Sequence, residues 1–145
     1  MNDKPAQRLL RVAAPLLQPG EQPQLLGRAT VARSLGAEIA TALNDALNGK
    51  RGLDAIRVPT FYSIVLTSHR LLMLEQNKYT MRPRSTIAFE FPRQGLYGMG
   101  YKQGITASFD LFLAGQALGV RLTFSRPDRD DGHRLGIALG AIAGP

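Results

Sequence analysis

Two histidines are the first places to look for chemistry in this chain. His69 follows Thr67 and Ser68, a hydroxyl-and-base grouping on paper. Neighbours along a strand or turn do not reach one another as a nucleophile and its base must, so His69 reads as a turn residue. His133 follows Asp128, Asp130 and Asp131, which raises the question of a metal. The spacing Asp128-x-Asp130-Asp131-Gly132 lacks the third alternate ligand and the distal glutamate of a calcium loop. Acids gathered at a helix start account for it better, because they face the positive end of the helix dipole. With no cysteine in the chain, thiol catalysis, disulfides, thiolate metal sites and iron–sulfur clusters are excluded together.

Gly95, Gly98 and Gly100 do not lead from a strand into a periodic helix, the context that a nucleotide-binding turn requires. Glu75 and Glu90 stand on separate strands with nothing to set their distance as an acid–base pair. No catalytic constellation emerges, and the expectation is a protein that is not an enzyme, with no cofactor and no metal.

Charge is more informative. The formal net charge is +7, and residues 57–102, with seven Lys/Arg against two Asp/Glu, contribute most of it. Six cations, Lys50, Arg51, Arg57, Lys78, Arg82 and Arg84, fall in or near loops flanking one predicted hairpin. Guanidinium and ammonium groups so placed can hold phosphate or carboxylate through charge-assisted hydrogen bonds. They form the expected ligand-binding rim. Nucleic acid fits poorly, because Tyr79 is the one aromatic interleaved with this set and single-strand binding needs several stacking surfaces.

The elements that must position these residues follow from periodicity. Residues 5–17 place Leu9, Val12, Ala13, Leu16 and Leu17 at helical spacing, with Pro15 shortening the end. Pro15 also cuts the apolar run before a signal peptide could develop, and no stretch approaches a membrane span. Residues 24–33 read as a first strand. Leu35, Ile39, Ala42, Leu43, Ala46 and Leu47 predict a packing helix over 35–48, followed by a loop over 50–60. The apolar, β-branched runs 61–67 and 71–76, joined at Ser68-His69, predict a hairpin. Ile87, Phe89 and Phe91 alternate as a half-buried strand, and the glycine-rich stretch 94–104 reads as an irregular connection. Alternation over 105–113 and 118–124 predicts a second hairpin, and Leu135, Ala138, Leu139 and Ile142 predict a closing helix. Strands with one dry face each, followed by an amphipathic helix, call for a small antiparallel β-barrel or sandwich capped by that helix, an α+β domain. At 145 residues a single domain spanning 1–145 is expected, with residues 1–20 as a helical extension and 34–49 as an inserted helix.

The string Ile64-Val65-Leu66-Thr67-Ser68-His69-Arg70-Leu71-Leu72 resembles the strand, Thr-x-x-Arg turn and strand of bacterial pleckstrin-homology-like domains and the related GRAM domains. Leu16-Leu17-Gln18-Pro19-Gly20-Glu21 resembles their entry, a short helix ending in Pro-Gly-Glu before the first strand. The helix at 35–48 is an insertion relative to that pattern. The closing helix lacks the tryptophan of eukaryotic members, which separates the chain from eukaryotic phosphoinositide binders. The resemblance implies a noncatalytic docking module of a bacterial cytoplasm. Its basic rim would meet an acidic partner protein or the anionic inner face of the membrane. A structural or homo-oligomerising module is the alternative.

Overall fold

The computed structural model describes residues 1–33, 60–114 and 119–142. The helix expected over 35–48 and the basic residues Lys50, Arg51 and Arg57 lie outside them. Helix α1 (Asp3–Ala13) ends in a 3-10 turn at Ala14–Leu16, where Pro15 removes the N–H that a longer helix would need. Seven strands follow: β1 (Pro23–Arg33), β2 (Thr60–Thr67), β3 (Arg70–Gln76), β4 (Pro83–Pro92), β5 (Leu96–Gln103), β6 (Ala107–Leu113) and β7 (Gly119–Phe124). Helix α2 (Arg129–Ala138) closes the described chain.

All the strand pairs are antiparallel, and the order across the sheet is β4-β3-β2-β1-β7-β6-β5. The central strand β1 pairs β2 along most of its length, then shares Thr30 and Val31 with β7. Ile64, Leu66, Leu71, Met73, Phe89 and Phe91 from one half of the sheet share a single buried cluster with Phe109, Leu111, Leu122 and Phe124 from the other. The two halves therefore face each other across one core, as in a sandwich. Among the described residues no pairing joins β4 to β5, so a closed barrel is not formed.

Helix α1 explains the densest apolar run in the sequence. Leu71, Leu72, Met73 and Leu74 are all fully buried, although strand geometry sends alternate residues to opposite faces. Leu71 and Met73 join the inner core; Leu72, Leu74 and Val65 pack outward against Leu9 and Ala13 of α1. A strand covered on both sides loses its polar alternation for this reason.

The stretch 94–104 corrects the sequence reading. It is not an irregular connection but holds β5, paired with β6 from Leu96↔Leu113 to Gln103↔Ala107. Gly98 serves packing. A Cβ on Gly98 would stand 2.9 Å from the Ala141 Cβ and 3.0 Å from the Phe109 ring, and the Gly98 N–H donates to Leu139 O at 2.7 Å. The absent side chain lets the end of α2 dock on the strand, where Leu135 and Leu139 enter the core. Gly100, with φ +71°, lies in the bulge between Met99 and Lys102. Ile105, expected in the dry face of the second hairpin, is 81% exposed because β6 begins only at Ala107.

Candidate functional site

The two ends of β3 carry most of the polar structure. At its start, the turn between β2 and β3 is stitched by Thr67, whose Oγ1 accepts from the backbone N–H groups of His69 at 3.1 Å and Arg70 at 3.0 Å. The same hydroxyl donates to Glu21 Oε2 at 2.5 Å. Arg70 donates to both oxygens of Glu21, from Nε at 3.0 Å and Nη2 at 3.1 Å. It also reaches Leu16 O at 2.8 Å and Glu90 Oε2 at 2.5 Å. The Gln18 N–H completes the set at 2.9 Å from Glu21 Oε1. Thus the two strings that resemble the family, Pro19-Gly20-Glu21 and Thr67-x-x-Arg70, meet in space as a bidentate ion pair. The Glu21 side chain has no exposed surface and that of Arg70 is 13% exposed. Burial by itself would raise the Glu21 pKa; hydrogen bonds from Arg70, Thr67 and Gln18 and the charge of Arg70 outweigh it and bring the value down to about 2. The cluster ties the Pro19-Gly20-Glu21 entry to the β2–β3 turn.

The other end of β3 is the opposite case. Asn77 Oδ1 accepts from the N–H groups of Tyr79 at 2.9 Å and Thr80 at 3.1 Å, and Met81 is held at φ 59° by its N–H bond to Asn77 O. This tight turn exposes Lys78, Arg82 and Arg84, which make no ion pair among the described residues. Tyr79 between them is 92% exposed. Because neighbouring strands are antiparallel, the end of β1 at Arg33, the start of β2 at Thr60 and the start of β7 lie at this same end of the sheet. Of the six residues expected to form a basic rim, Lys78, Arg82 and Arg84 stand on this tip.

The remaining candidates take other roles. His69 is exposed at the paired end, and the exposed His133 contacts the Tyr101 ring edge at 5.7 Å. Asp128 accepts from Arg28 Nε at 3.1 Å and Ser125 Oγ at 2.9 Å. Asp131 binds the Met1 ammonium at 2.7 Å and Arg134 at 3.2 Å. These two helix-start acids are buried partners of cations, a role that the dipole argument did not foresee. Among the described residues no three His, Asp or Glu side chains gather in a way that could hold a metal ion, and no helix is long and apolar enough to cross a membrane.

No family model matches the chain, and no curated protein does. Among solved structures, the chain is similar to the crystal structure of a pleckstrin homology domain from Shewanella amazonensis SB2B. The identity is 15% and the TM-score 0.45, over 91% of this chain and 95% of that one.

Proposed function

We propose that this chain is a single noncatalytic docking module of pleckstrin-homology-like type whose β3–β4 tip meets an anionic surface. One observation carries the reading: Lys78, Arg82 and Arg84 are exposed without acidic partners and flank a tyrosine that is 92% exposed. Unpaired cations attract anionic headgroups at about 1 kcal/mol each near a membrane surface. An amphipathic aromatic ring among them suits the headgroup layer. Lys50, Arg51 and Arg57, expected with them from the sequence, lie outside the described residues.

Sedimentation with vesicles of phosphatidylcholine, with and without phosphatidylserine, across a salt series tests the proposal. Binding that needs the anionic lipid, falls with salt and is lost in the Lys78→Ala/Arg82→Ala/Arg84→Ala variant supports it. Absence of vesicle binding at low salt removes the membrane version and leaves an acidic protein as the partner.

A further inference from the structure

Helix α1 sorts its charges to one side. Leu9 and Ala13 are buried against the sheet. At about 3.6 residues per turn, Lys4, Arg8 and Arg11 follow one another along one flank of that buried face, and Asp3, Leu10 and Ala14 take the other. None of these cations makes an ion pair among the described residues, and Lys4 and Arg11 are exposed. The cationic flank is the one that meets the β3–β4 turn. Met1, Pro5 and Arg8 line one cavity together with Thr80, Met81 and Pro83, and neither Asp3 nor Leu10 takes part in it. In the chain, Thr80 and Met81 lie between Lys78 and Arg82, and Pro83 lies between Arg82 and Arg84. The cations of α1 therefore start beside the cations of the tip.

From this juxtaposition we infer that α1 is a second contact of the docking face, and that the face takes an anionic lipid bilayer by its charge density rather than one phosphate headgroup. The inference rests on the docking reading above and names its partner. Lys4 to Arg11 alone covers about 10 Å of helix axis, on a different element from the tip. That spread is wider than a phosphate group. Cations distributed in this way act as separate attractions to a charged surface, each adding to binding and each screened by salt. Because the other flank of α1 carries no cation, charge also fixes which side of the helix faces the lipid.

Vesicle sedimentation of the whole chain, with charge removed but side-chain length kept, provides the test. Lys4→Gln/Arg8→Gln should weaken binding to phosphatidylcholine vesicles carrying phosphatidylserine at least about fivefold, with the melting temperature retained. Lys102→Gln/Arg126→Gln removes the same net charge from exposed positions outside α1 and the tip, and should stay within about twofold of the parent. Phosphatidylglycerol at the same mole fraction should replace phosphatidylserine within about twofold, and sodium phosphate should release the protein no better than sodium chloride at matched ionic strength. A Lys4→Gln/Arg8→Gln variant that binds like the parent, or an equal loss in the Lys102→Gln/Arg126→Gln control, would remove α1 from the face and leave the tip reading standing. A strong preference between the two anionic lipids, or selective release by phosphate, would put a discrete headgroup or free phosphate in place of the bilayer. No binding of the parent chain to either vesicle would overturn the membrane reading and this inference together.

Discussion

The two ends of β3 lie one strand length apart and use the same residue types to opposite effect. At the start of the strand, Arg70 is enclosed by Glu21, Glu90 and the Leu16 carbonyl. At its finish, Lys78, Arg82 and Arg84 face solvent and make no ion pair among the described residues. A cation surrounded by acceptors is a structural part, and removing it leaves a buried charge unmatched. A cation without acceptors contributes little to stability and remains available to a partner. Function is therefore better sought where charge is unmatched than where it is most tightly bound.

The sharpest way to break this contrast is Arg70→Met, which strands Glu21 in the interior. A loss of about 3–5 kcal/mol is expected in urea unfolding, enough to unfold a marginal domain; if it prevents folding altogether, Thr67→Val is the milder probe. Next is acid. The Glu21 pKa is about 2 in the fold against an ordinary 4.5, so its contribution is complete above about pH 4.5 and is lost as the pH falls toward 2. That loss is about 3 kcal/mol by linkage. Thermal melts between those limits should show it, and in Glu21→Gln this part of the acid dependence should vanish. Thr67→Val, which removes one donor and the acceptor for two backbone N–H groups, should cost about 1–3 kcal/mol in the same unfolding assay. Smallest of all should be the triple alanine variant at Lys78, Arg82 and Arg84, within about 0.5 kcal/mol of the parent. A large destabilisation there would mean that the tip is structural after all and would erase the contrast.

Much of this architecture could be read without coordinates. The hairpin over 61–76 stands where its two apolar runs and the Ser68-His69 turn put it, because a continuous run of apolar β-formers bounded by polar residues has few other solutions. The second hairpin and the closing helix follow from period in the same way. The strand β5 was hidden. Glycine carries no hydrophobic signal, and the reason for Gly98 is a neighbour, Ala141, that is distant in sequence and close in space. The basic tip was visible: charge counting pointed to Lys78, Arg82 and Arg84.

What the sequence determined by itself is what local rules govern: the strands and helices that carry a hydrophobic period, which face of each is apolar, and where positive charge accumulates. Only the tertiary structure decided which charges are matched. Glu21 and Arg70 lie 49 positions apart, and no local rule separates a partnered arginine from a free one. Coulomb and hydrogen-bond energies depend on distance through space, and that distance is set by how the whole sheet folds over its core.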